Sequence, residues 1–122
     1  MKMKVFKKES EVEWENHFMV DDGKIQWLYT KEKDNSPITV MKVRLKKGVT
    51  LPDHRHPDQP DIVYPLEGKA TMFIEGEGEF PLEPGMIVQV PPNVLHAIRR
   101  VEKDLLLFDI FSPAMAYRPG KK

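Results

Sequence analysis

Gly48-Val49-Thr50-Leu51-Pro52-Asp53-His54-Arg55-His56-Pro57-Asp58-Gln59-Pro60-Asp61-Ile62-Val63-Tyr64-Pro65-Leu66-Glu67-Gly68 is the segment whose chemistry sets the reading of the whole chain. In an extended strand, residues two apart share a face, so His54 and His56 converge on one point while Arg55 turns away. Pro57 to Pro60 then lead to Asp61, which heads the apolar run ending at Leu66. Two imidazoles and a carboxylate this close together supply most of a site for a divalent transition metal. Downstream, Met86-Ile87-Val88-Gln89-Val90 reads as a strand that passes through Pro91-Pro92-Asn93 to a third imidazole, His96. Were His54, His56, Asp61 and His96 all to bind, an octahedral ion would keep two positions open for substrate or water, as a catalytic site requires. Ni, Zn, Mn, Fe and Co all accept imidazole and carboxylate ligands, and one such ion per chain is expected. Taken singly, each histidine reads as a surface or core residue; it is their grouping that points to metal.

Outward from this segment, the chain reads as strands between Gly and Pro punctuation. Thr39, Met41, Val43 and Leu45 alternate with Val40, Lys42 and Arg44, the period of a half-buried strand. Lys24 to Tyr29 reads as a strand, and Lys31 to Pro37 as a loop. Ala70 to Ile74 and Glu79 to Leu82 flank Glu75-Gly76-Glu77-Gly78 as a hairpin. Met86 to Val90, His96 to Val101 and Leu105 to Phe111 complete a set of short strands with no sustained helical stripe. The 11 prolines oppose a helix further. An all-β sandwich or barrel is the expected fold class. Residues 1–22 read as an irregular N-terminal arm holding one short strand, with His17 a solvated histidine, and Tyr117 to Lys122 as a loose tail.

A chain of 122 residues is enough for one domain with one core. Its 19 basic and 19 acidic residues cancel, so no overall charge draws it to nucleic acid or to an anionic membrane. With no cysteine, imidazole and carboxylate are the groups left to hold a metal. No apolar run is long enough to span a bilayer, and the opening residues turn polar before a signal-peptide core forms, so a cytoplasmic location is expected. Ile62 to Leu66 and Leu105 to Phe108 are apolar on both faces and need cover outside the sheet as well as inside. Either the N-terminal strands or a second subunit provides it, and a homodimer is expected.

The two histidine segments together resemble the paired signatures of the cupin superfamily. The first reads Gly48, His54-x-His56, Asp61, Gly68, with Asp61 where the family has Glu; the second reads Gly85, Pro91-x-Asn93, His96, Arg100, with Asn93 where it has Gly and Arg100 where it has Asn. Asn tolerates the left-handed backbone such a turn needs. The resemblance implies a cupin jelly-roll β-barrel (double-stranded β-helix) as a single domain, 1–122, with 38–113 as its core. The run Asp109-Ile110-Phe111-Ser112-Pro113 looks like the pectin-degradation cupins that open the ring of 4,5-unsaturated uronates. That likeness implies active-site roles for Asp109 and Phe111. It also implies an Arg for the uronate carboxylate at the position held here by Met115, which leaves Arg100 or Arg118 to take the task by another route. Dimethylsulfoniopropionate lyases resemble the chain less, because Tyr64 follows Asp61 by three residues and points to the opposite face.

Strand counting adds two side chains. His96, Ile98 and Arg100 share a face, so Arg100 projects inward to meet a carboxylate or phosphate, unless a bulge turns it out beside Arg99. Leu105, Leu107, Asp109 and Phe111 share a face, which makes Asp109 either a general acid or base or a strand-end ion pair. The expected function is a metal-dependent cupin acting on a small acidic sugar-like molecule by ring opening or isomerisation. Two alternatives are a non-catalytic small-ligand-binding cupin and an Fe(II)-dependent dioxygenase-type cupin.

Overall fold

A computed structural model describes residues 2–121; Met1 and Lys122, the outermost residues of the expected arm and tail, lie outside it. Eight strands follow a 3₁₀ turn at Glu9–Glu11: β1 Trp14–Asn16, β2 Gly23–Tyr29, β3 Thr39–Leu45, β4 Leu51–His54, β5 Asp61–Ile74, β6 Gly78–Leu82, β7 Val88–Val90 and β8 His96–Phe111. Antiparallel pairing runs β1-β2-β3-β8-β5-β6, with β4 joined to β8 and β7 to β5. The fold is all-β, as the alternating pattern requires. In β3, Thr39, Met41, Val43 and Leu45 are the buried set.

Two long strands organise the roll. β5 and β8 pair along their whole length, from Asp61 opposite Phe111 to Ile74 opposite His96. The first part of β5 also pairs with β7 and its second part with β6, while β8 gives its start to β4 and its end to β3. Each long strand therefore has different partners along its two halves and bends between them. Register irregularities gather between Pro65 and Ala70, and Gly68 has φ +94. A Cβ on Gly68 would lie 2.1 Å from the Asp104 carbonyl oxygen, so only glycine lets the two backbones approach this closely. Flat, at about 3.3 Å per residue, β8 would hold its ends roughly 50 Å apart. Instead the His56 ring lies 5.1 Å from that of His96 and 4.9 Å from that of Phe111, centroid to centroid, so both ends of β8 meet one point.

Inside the roll, Ile25, Leu45, Met72, Leu82, Val101 and Leu105 are among the buried core. On the outer face, Ile62 pairs with Ile110 and Tyr64 with Phe108, and Tyr64 is 45% exposed. The N-terminal arm covers β2: the Gln26 amide donates to the carbonyls of Glu9 (3.1 Å) and Val12 (3.0 Å), and Lys42 pairs with Glu9 at 2.6 Å.

Three local expectations change. Lys31–Asp34 is a short helix, α1, where a loop was expected; Thr30 Oγ1 accepts from the Lys33 N–H, and Asn35 ends the helix at φ 52. The two expected strands at 96–101 and 105–111 are one continuous β8. The tail is docked rather than loose: Tyr117 bonds Glu15 through its hydroxyl, the Lys121 N–H donates to the His17 carbonyl at 3.1 Å, and Asn16 donates back to the Lys121 carbonyl at 2.9 Å. These partners lie about a hundred positions away in sequence, which local composition does not encode.

Candidate metal centre

His54 closes β4, His56 lies two residues beyond that end, and His96 opens β8 opposite His54 in the ladder. The turn before His96 is the one its sequence predicts: Asn93 takes φ 60, and its N–H donates to the His56 carbonyl at 2.8 Å. That bond ties the two histidine segments together through the backbone. Each of the three residues contributes a ring nitrogen, and these atoms all lie within 4.8 Å of one another. Among the described residues this is the cluster with the spacing of a metal site.

The ring tautomers suit that role. Nδ1 of His54 lies 2.8 Å from the Pro52 carbonyl, and Nδ1 of His96 lies 2.9 Å from the Val94 carbonyl. A carbonyl only accepts, so both rings carry their proton on Nδ1 and present a lone pair at Nε2. Nε2 of His96 is buried and has no hydrogen-bond partner among the described residues. Burial lowers all three pKa values from 6.5, His96 to about 4 and His56 to about 3, with the neighbouring imidazoles and Arg118 pushing His56 further down. At neutral pH the triad is therefore uncharged and able to donate electron pairs. Three neutral nitrogens converging on one point, one of them otherwise orphaned, fit a divalent metal.

Asp61 stands beside this cluster. Its Oδ2 is 4.0 Å from His96 Nε2, and the residue is 5% exposed. Its carboxyl neighbours that of Asp109, and burial together with this neighbour favours its protonated form. Burial raises Asp61 well above 3.8 and Asp109 to about 7. One oxygen of each, Oδ1, is buried without a partner among the described residues. Phe111 packs its ring edge-on to His56 at 4.9 Å. Thus His54, His56, His96, Asp61, Asp109 and Phe111 line one cavity of about 50 Å³. A wider mouth of about 200 Å³ opens above His54 and His56, where Gln59, Met115 and Arg118 also lie.

Two expectations are corrected here. Arg100 is exposed and lies outside the cavity, because the pairing of β5 with β8 shifts between Thr71 opposite Arg100 and Met72 opposite Ile98. One extra residue at Arg99 turns Arg100 to the other face. Arg118 is the arginine at the mouth. His17 is 4% exposed rather than solvated, and it lines the same cavity as the triad. An isolated histidine in an irregular segment carries no periodic signal, and the neighbouring Phe18 was the only hint of burial.

Residues 41–111 match the Cupin_2 family, described as cupin domain. Over 108 residues the chain is 28% identical to the pectin degradation protein KdgF of Dickeya dadantii, covering 88% of this chain and 92% of that one. It is 40% identical over 53 residues to quercetin 2,3-dioxygenase of Bacillus subtilis, which is 43% of this chain but only 15% of the dioxygenase. The structure of KdgF from Halomonas sp. superposes with a TM-score of 0.76 at 23% identity, over 91% of this chain and 96% of that one, a likeness of fold.

Proposed function

The chain belongs to the Cupin_2 family of cupin domains, and from that premise we propose that it is a metal-dependent enzyme acting on a small acidic, sugar-like molecule by ring opening or isomerisation. The observation that carries this is the juxtaposition of three converging imidazole nitrogens with two buried carboxyls in one cavity. Held by His54, His56 and His96, a Ni, Zn, Mn, Fe or Co ion would polarise a carbonyl or hydroxyl oxygen. Asp109 is the proton carrier. The residue lines the cavity with the triad, its buried Oδ1 has no partner among the described residues, and its pKa near 7 lets it both take and return a proton around neutrality. Asp61 is its buried neighbour. Phe111 excludes water beside His56. At the mouth, Arg118 supplies the positive charge for an acidic substrate, in place of the family arginine that Met115 replaces. The name of the 28% identical relative, a pectin degradation protein, favours an acidic sugar.

The segment shared with quercetin 2,3-dioxygenase favours an oxygen-using enzyme as the second reading, with Fe(II) the metal such a reading would call for. Metal analysis of protein purified without added metal, followed by turnover assays, separates the two. Nickel, zinc or manganese with conversion of unsaturated uronates supports the first; iron with oxygen consumption supports the second; a metal-free protein with neither activity leaves a non-catalytic ligand binder. Asp109→Asn should lower turnover by about 10²- to 10⁴-fold. Unchanged turnover would remove Asp109 from the mechanism. The apolar outer face around Ile62, Tyr64, Phe108 and Ile110 favours a homodimer, and sedimentation showing only monomer at micromolar concentration would count against it.

A further inference from the structure

We infer that His17 is a further ligand-recognition residue, whose Nε2–H donates a hydrogen bond to an anionic oxygen of the small molecule held at the triad. This rests on the metal-site reading above and adds a fourth imidazole to it, with a different task. Nδ1 of His17 accepts the Met19 N–H at 3.0 Å, so in the neutral ring the proton sits on Nε2. Nε2 has no partner among the described residues, although the side chain is 4% exposed. Nε2 of His17 is not sealed off as Nε2 of His96 is, so it is open to a ligand atom; the Met19 bond accounts for the other ring nitrogen and not for this one. The residue lines the cavity shared with His54, His56 and His96 but stands outside the cluster of converging nitrogens, so it addresses a bound molecule rather than the ion.

Its seat is rigid. The His17 N–H donates to the Gly23 carbonyl at 3.0 Å and its carbonyl accepts from Lys121 at 3.1 Å. Its ring stacks on Phe18 at 5.0 Å, and a Cβ on Gly23 would press on His17 Cβ at 3.1 Å. A donor held this firmly loses little freedom when it engages a ligand. The sign of the ligand follows from the mouth. The Arg118 guanidinium lies 5.0 Å from the Phe18 ring and has no carboxylate partner among the described residues. A cation at the entrance and a fixed N–H within select an oxyanion, of which a hydroxy-carboxylate is the smallest example with the chemistry proposed above.

The test uses Co(II)-loaded protein and glycolate as the probe, followed by the cobalt visible spectrum and by cobalt content. His17→Phe should weaken glycolate binding about tenfold, the size of one hydrogen bond to a charged group, with cobalt content unchanged. His17→Gln, which offers an amide N–H near the position of Nε2, should stay within about threefold of the parent. Parental affinity in His17→Phe would overturn the inference, as would equal weakening in both variants or loss of cobalt from His17→Phe. Failure of the parent chain to bind cobalt would sink the metal-site reading and this inference together, whereas a cobalt-loaded parent indifferent to His17 sinks the inference alone.

Discussion

On the imidazole wall of the pocket, His54 and His96 each have one ring nitrogen set against a backbone carbonyl and the other turned to the cavity; on the carboxyl wall, Asp61 and Asp109 lean on each other and leave one oxygen apiece without a partner. The first wall is oriented by the strands themselves, so its lone pairs point inward whatever occupies the site. Burial acts on both and in opposite directions: it strips protons from the imidazoles and keeps them on the carboxyls, so both walls approach neutrality. A site whose fixed charge is lowered in this way can take in a cation and an anion together at a smaller cost in buried charge.

Removing the oriented wall should have the largest effect. The double variant His54→Ala, His56→Ala is expected to cut bound metal from about one per chain to under about 0.1, because a single remaining imidazole cannot chelate, while far-UV circular dichroism stays that of a β protein. Metal content that survives the double change would mean the two walls do not differ as described.

The next test sets the walls against each other through pH. Unfolded, a histidine takes up its proton near pH 6.5 and an aspartate near 3.8; folded, His17 and His96 do so near 4 and His56 near 3, while Asp109 keeps its proton up to about 7. The lowered imidazoles contribute stability that is present above pH 6.5 and lost as pH falls through about 4. The raised Asp109 contributes stability that is present below 3.8 and lost as pH rises through about 7. Four lowered imidazoles outnumber two raised carboxyls. The melting temperature of metal-free protein should therefore climb from pH 4 to about 6.5 and then decline towards pH 8. Asp109→Asn should flatten the decline and raise the value at pH 8 by up to about 4 °C. A melting temperature still climbing between pH 7 and 8 would contradict the carboxyl side of the contrast.

The smallest effect concerns the mouth. Arg118 holds the pKa of His54 down, after burial and against the pull of Asp53 and of the Pro52 carbonyl. In metal-free Arg118→Ala the His54 pKa should move up, read by NMR titration, and high salt should shrink the difference because Arg118 is exposed. An unmoved His54 would place Arg118 away from the site in solution.

How much of this was legible depended on whether the signal was local. His54, His56 and His96 could be read because strand period and turn chemistry fix their directions, and Asn93 took the left-handed backbone its type allows. Asp109 could be placed inward by counting from Leu105 and Leu107. The same count left Arg100 open between two faces; the extra residue in the pairing with β5 turns it outward, and nothing in Ile98-Arg99-Arg100 decides between the two. α1 was missed because four residues, Lys31–Asp34, are too few to show a helical period. The burial of His17 was hidden for a different reason: it is created by β2 on one side and by the chain's other end on the other, contacts that no window of sequence contains.

Gly120 sits so close to the Asn16 carbonyl that an added Cβ would fall 2.1 Å from its oxygen, and Lys121 is bonded to His17 next to it. Anything spliced on after Lys121 therefore emerges next to the arm that forms one side of the entrance. For laboratory work this bears on how the protein is purified: a polyhistidine handle at that end would bring spare imidazoles within reach of the triad, and metal stoichiometry should be measured on protein from which such a handle has been cleaved.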